Sequence, residues 1–190
     1  MKAIQKYTQI AASLRSKHIF LKKKLGFSSQ GTSMNPVLKE GDEILVERVS
    51  YEQLRFGNLI TYERNGIFIT HRFLYLNRQH KGTAMIITKA DNRSKLDKPV
   101  PVSCLIGRVA EVKRNGQTIA SETSFWHFVA RLIAFLSLME GQFFEITFVL
   151  KRTAFKHLKV NTTLKQCFIN HVRKFKQWLL HFLLLVAKHQ

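Results

Sequence analysis

The sequence predicts a mainly β fold: a coiled antiparallel β domain, flanked by an N-terminal amphipathic helix and a helical C-terminal tail. Three observations predict it. Between Gly31 and Ile119, short runs rich in Ile, Val, Phe, Tyr and Leu are separated by polar breaks, as strands are. Asn65-Gly66 and Asn115-Gly116 each stand beside such runs, and Asn-Gly favours the left-handed φ values of a type I′ hairpin turn. On either side of this centre the apolar residues recur at helical spacing instead.

The elements follow in order. Residues 1–28 form a basic amphipathic segment in which Ile4, Tyr7, Ala11, Leu14, His18, Leu21 and Leu25 share one helical stripe. Lys2, Lys6, Lys17 and Lys22 lie off it, and Gly26 is the expected stop. Such a helix either packs on its own domain or lies on anionic lipid. Residues 29–120 form the β domain, with strands expected over 43–48, 58–63, 67–76, 84–89 and 105–113. Residues 121–190 form a basic, aromatic-rich region whose apolar clusters, 125–139 and 175–187, are expected to be helical. Neither cluster reaches the roughly 18 charge-free apolar residues of a membrane span.

With 190 residues, 45 % of them apolar, the chain is long enough for one ordinary core and is not a disordered polymer. Its 31 Lys and Arg against 12 Asp and Glu give a formal charge of +19. That charge repels copies of the chain and attracts polyanions. The surplus sits on the flanks: residues 1–30 carry seven bases and no acid, residues 122–190 ten bases and three acids. An anionic membrane surface is therefore an expected partner. Nucleic acid is not, because no aromatic–basic strand motif of a nucleic-acid fold accompanies the charge. Cys104 and Cys167 make no disulfide framework, and the histidines show no ligand spacing, so neither metal nor cofactor is expected. Residues 1–30 hold no secretory signal, and the expected location is peripheral to a membrane or cytoplasmic. The sequence does not indicate an oligomeric state.

The chemistry lies in the β domain. Ser33 stands in Gly31-Thr32-Ser33-Met34-Asn35-Pro36, His71 in the strand Ile69-Thr70-His71-Arg72-Phe73, and Asp91 and Asp97 in one polar loop. A serine hydroxyl is a poor nucleophile until a neighbouring base takes its proton. A neutral imidazole can do so, and a carboxylate on its other nitrogen fixes the tautomer and steadies the imidazolium. Lys89 is an alternative base, displaced by the presence of His71.

Read together, Gly31-Thr32-Ser33-Met34-Asn35-Pro36-Val37-Leu38, Gly41-Asp42-Glu43-Ile44-Leu45-Val46, Gly57-Asn58-Leu59-Ile60, His71-Arg72 and Thr88-Lys89-Ala90-Asp91-Asn92 resemble the type I signal peptidases. Gly107-Arg108-Val109 closes the run. Their order is similar to the Ser-His-Asp branch of the endoplasmic reticulum and archaea, in which histidine replaces the bacterial lysine. The resemblance covers residues 29–115. It implies a β domain of the signal-peptidase type, with Ser33 as nucleophile, His71 as general base, Asp97 completing the triad and Asp91 supporting the loop. It also implies a peptide or preprotein substrate that pairs as an extended strand. The chain departs from the family pattern at Gly31, Asn58 and Ala90, and in lacking an N-terminal transmembrane anchor. With Gly31 in place of a serine, the oxyanion must rest on backbone N–H groups, that of Ser33 first and Thr32 second.

The expected activity is thus that of a serine endopeptidase acting on a signal or leader peptide. Two alternatives stand beside it. One is a non-catalytic basic module binding nucleic acid or anionic membrane. The other is a self-cleaving protease of the repressor type, although that group uses lysine as its base.

Overall fold

The described structure holds eight antiparallel strands, a long helix after them, and further helical residues between 167 and 182. In this computed structural model the description covers residues 24–80, 83–120 and 123–153, and single residues between 167 and 182. The strands are β1 (Lys24–Ser28), β2 (Glu43–Glu47), β3 (Leu59–Arg64), β4 (Ile67–His80), β5 (Thr83–Lys89), β6 (Val100–Pro101), β7 (Leu105–Arg114) and β8 (Gln117–Ala120). The helix, α1, spans Ser124–Thr153. The sheet runs β1-β2-β7-β3-β4-β5-β6, with β8 on the end of β7. The mainly β, antiparallel reading of the sequence is therefore the observed one.

Both Asn-Gly hairpins form as their chemistry requires. Asn65 and Gly66 have φ of 54° and 77°, and Asn115 and Gly116 have 51° and 77°, the paired positive values of a type I′ turn. The first joins β3 to β4, and the second joins β7 to β8.

The N-terminal boundary differs from expectation. Residues 1–23, where the amphipathic helix was placed, lie outside the described residues. Lys24–Ser28, assigned by the sequence to the end of that helix, is instead strand β1, paired with β2 from Lys24↔Glu47 to Ser28↔Glu43. The reason is a change of period. Leu25 and Phe27 alternate inward between exposed Lys24, Gly26 and Ser28, which suits a strand with one buried face. Gly26 is thus a strand residue, and the β domain begins before residue 29.

Bulges at Leu45/Val46 and Thr61/Tyr62 twist β2 and β3 where each meets β7. The sheet coils enough to bring β1 against the start of β4, although three strands separate them in sheet order. The contact is made by Phe27 and Phe68, whose ring centroids are 5.3 Å apart. Two apolar clusters fill the coil. One is built on Met34, Leu38, Ile44, Val46, Ile106 and Val112. The other is built on Ile60, Tyr62, Phe73, Ile86 and Val100.

Helix α1 is longer than the cluster 125–139 that foretold it, and it belongs to the core of the domain. Val129 and Ile133 pack with Val37 and Trp126. The closest approach is at Gly57, whose φ of +95° favours glycine and where a Cβ would stand 2.8 Å from the Ala130 backbone. Among the described residues no helix is long and apolar enough to cross a membrane.

Gly57→Ala is expected to lower unfolding free energy by about 2–3 kcal/mol, from a left-handed backbone now carrying a side chain and from displacement of α1. Urea denaturation against the parent chain measures it, and a change below about 0.5 kcal/mol would mean that α1 does not need this contact.

Candidate active site

Three of the four residues singled out in the sequence come together at one end of a cleft. His71 Nδ1 lies 2.7 Å from Asp97 Oδ2, and His71 Nε2 lies 3.3 Å from Ser33 Oγ. An ionised carboxylate only accepts hydrogen bonds, so Nδ1 carries the proton and Nε2 is left to accept from the serine hydroxyl. Each partner arrives from a different element: Ser33 from the β1–β2 connection, His71 from β4, Asp97 from the β5–β6 connection. All three are at least partly buried, with the imidazole 8 % and the Asp97 carboxylate 11 % exposed.

The serine loop is held at several points. Gly31 turns it with φ of +79°, a conformation in which a serine would be strained. Met34 is buried beneath the loop, and its sulfur accepts the Asp91 N–H at 3.4 Å. Asn92 donates its backbone N–H to the Ser33 carbonyl at 2.9 Å and its side-chain amide to the Thr32 carbonyl at 3.3 Å. The polar loop after β5 therefore positions the serine as well as the aspartate. Asp42, paired with Arg114 at 2.7 and 2.8 Å, anchors the far end of the connection.

Asp97 has support that sequence reasoning did not assign. The Thr88 hydroxyl donates to Oδ2 at 2.9 Å, and the Asp97 N–H donates to the Thr88 carbonyl at 2.9 Å. Tyr62 stands edge-on to the imidazole, with its hydroxyl 3.5 Å from Nδ1. Burial pushes the Tyr62 phenol above its ordinary pKa, partly opposed by a Thr88 hydrogen bond, so it remains an O–H near neutral pH.

Asp91 does not join this chain of hydrogen bonds. Its two oxygens receive Arg72 Nε and Nη2 at 2.8 and 2.6 Å, in a pair whose side chains are 1 % and 3 % exposed. Arg72 Nη1 donates in addition to the Gly57 carbonyl at 2.8 Å. Asp91 anchors the loop, and Asp97 faces the histidine. Lys89, the alternative base, is committed elsewhere, 3.0 Å from Glu140 of α1, with both side chains fully buried. Strand alternation explains the division. His71 and Arg72 are successive residues of β4, Thr88 and Lys89 of β5, so one of each pair faces the cleft and the other faces α1.

The cleft encloses about 580 Å³. One wall runs from Phe27 to Gly31 and the other from Gly66 to Thr70, with Met34, Leu38 and Ile44 on its floor. Both walls offer backbone. Among the described residues β1 pairs only with β2, and β4 pairs with β5 only from Arg72 onward, so Ile67–Thr70 keeps one edge without a described strand neighbour. Among the described residues, Arg93 is the only cleft-lining side chain with a fixed charge. Among the described residues no group of three or more His, Cys, Asp or Glu is placed to hold a metal ion.

Compared with known proteins, the chain matches no family model and no curated protein.

Glu140→Leu alone is expected to cost about 3–5 kcal/mol, because it removes the carboxylate that faces the Lys89 ammonium in the core. Adding Lys89→Met should restore most of that loss, since an apolar pair of similar volume needs no desolvation. The four-cornered comparison by chemical denaturation checks this, with a coupling below about 0.5 kcal/mol counting against it.

Proposed function

We propose that this protein is a serine endopeptidase of the type I signal peptidase kind, cleaving an extended signal or leader peptide by a Ser-His-Asp mechanism. The observation that carries the reading is the continuous hydrogen-bonded line from Ser33 through His71 to Asp97, opening into a cleft with two unpaired strand edges. Isolated Ser, His and Asp residues occur in any protein of this size. A directed relay at the end of a peptide-shaped groove is far more restrictive.

The steps follow from the atoms present. A peptide lies extended between β1 and the start of β4, its backbone pairing with one or both edges. Ser33 Oγ attacks the scissile carbonyl carbon while His71 Nε2 takes the hydroxyl proton, and Asp97 stabilises the imidazolium. The developing oxyanion is held by backbone N–H groups, with that of Ser33 nearest to hand. On collapse of the tetrahedral intermediate, His71 returns the proton to the departing amine and an ester remains on Ser33. Water then attacks the ester with His71 again as base, releasing the new carboxylate and restoring the hydroxyl.

Backbone pairing reads the peptide without regard to sequence, so selectivity falls to the pockets beside the bond. Here the apolar floor of Met34, Leu38 and Ile44 favours small or apolar side chains.

The test is mass spectrometry of a preprotein carrying an Ala-x-Ala site, incubated with the parent chain and with Ser33→Ala. The expected result is one cut made by the parent alone. Ser33→Ala and His71→Ala should each reduce turnover by on the order of 10³ or more, and Asp97→Asn by on the order of 10² or more. Thr88→Val should cost only about tenfold, because it removes one of the contacts holding Asp97. Equal cleavage by a folded Ser33→Ala protein would sink the reading.

A further inference from the structure

An apolar surface far from the cleft in sequence stands exposed to water. Phe175, Trp178 and Phe182 are helical and are 50 %, 62 % and 51 % exposed. Their spacing, i, i+3 and i+7, puts them on one helical face. The rings stack into a ridge, with centroids 6.1 Å apart from Phe175 to Trp178 and 5.9 Å apart from Trp178 to Phe182. Three large aromatic side chains held together in water on one face call for a partner.

Charge says what kind. From Ile146 to the end of the sequence there are nine Lys and Arg and no Asp or Glu. Lys174, next to the ridge, is exposed. Helix α1 repeats the pattern on a smaller scale: Phe128, Phe135 and Met139 are exposed, with exposed Arg131 among them. An aromatic ridge in a purely basic segment fits a bilayer whose headgroups are negative and whose interface accepts amphipathic rings. Two other occupants fit less well. A second copy would have to overcome repulsion between two chains of +19. Nucleic acid bases stack on free ring faces, whereas adjacent faces of this ridge are turned to one another, with interplanar angles of 28° and 12°.

We infer that Phe175, Trp178 and Phe182 form a membrane-docking ridge that inserts into the interface of an anionic phospholipid bilayer, with the surrounding lysines and arginines on the headgroups. This surface is independent of the peptidase reading.

The chain has two tryptophans, so Trp126→Phe leaves Trp178 as the only indole. The full chain with this change is mixed with vesicles of equal parts phosphatidylcholine and phosphatidylglycerol, and separately with vesicles of phosphatidylcholine alone. Trp178 emission should move to the blue on the anionic vesicles and stay in place on the neutral ones. The otherwise unmodified chain should co-sediment with the anionic vesicles only. Phe175→Ala with Phe182→Ala should weaken that partitioning by about tenfold or more while leaving the circular dichroism spectrum unchanged. Absence of co-sedimentation would overturn the inference. So would undiminished binding by the double variant, which is adsorption by charge alone. A blue emission already present without lipid, and rising with protein concentration, would assign the ridge to a second copy. A shift caused by single-stranded DNA and not by vesicles would assign it to nucleic acid.

Discussion

The ion pair between Arg72 and Asp91 joins the strand that carries His71 to the loop that carries Asp97, and it does so where water cannot compete. A buried charge without its partner costs several kcal/mol, so this contact tolerates little displacement. Its geometric effect is to fix the register of β4 against the loop after β5. With that register set, His71 meets Asp97 on one face of the sheet, and Arg72 meets the Gly57 carbonyl on the other. The serine arrives through the same loop, because Asn92, next to Asp91, donates to the carbonyls of Thr32 and Ser33. One pair of charges thus positions all three members of the relay without touching any of them.

Much of this was legible in the sequence, and the parts that were have a common property: they are local. An Asn-Gly pair carries its own backbone preference, so both hairpins could be read from two residues each. The strands over β2 to β5 showed enough β-branched and aromatic residues in short runs to stand out. Ser33, His71 and Asp97 were picked from ordered local motifs, and the fold supplies the proximity that spacing alone could not. Strand β1 is not legible in sequence, because five residues are too few to distinguish period two from period 3.6 when a helical stripe precedes them. Thr88 and the Lys89–Glu140 pair were out of reach for a different reason. The first depends on how the loop after β5 folds back over nine residues, and the second on a partner 51 residues away, neither of which a local pattern encodes.

The two faces of the sheet divide the work of the domain. The cleft face carries a hydroxyl, an imidazole and a partly exposed carboxylate. The α1 face carries two ion pairs almost wholly out of water, which contribute rigidity and no accessible chemistry. Alternation along β4 and β5 lets adjacent residues serve these opposite demands. It also explains why a helix beyond the last strand of the β domain belongs to it structurally. Glu140 and the Ala130 backbone complete the reverse side of the strands on which the cleft depends.

The unpaired edges of β1 and of Ile67–Thr70 have a cost of their own. Open strand edges are templates for aggregation, and Ile67, 64 % exposed, is the sort of residue that makes such an edge adhesive. Many β proteins guard an edge with a proline, a bulge or an inward-pointing charge. This one has a hairpin tip beside the open edge and a formal charge of +19, most of it in the segments that flank the β domain. Colloidal repulsion then does what local gatekeepers do elsewhere, and repulsion of that kind is screened by salt. Solubility and an open cleft become linked quantities: ionic strength that masks the charge also lets one molecule's edge find another's.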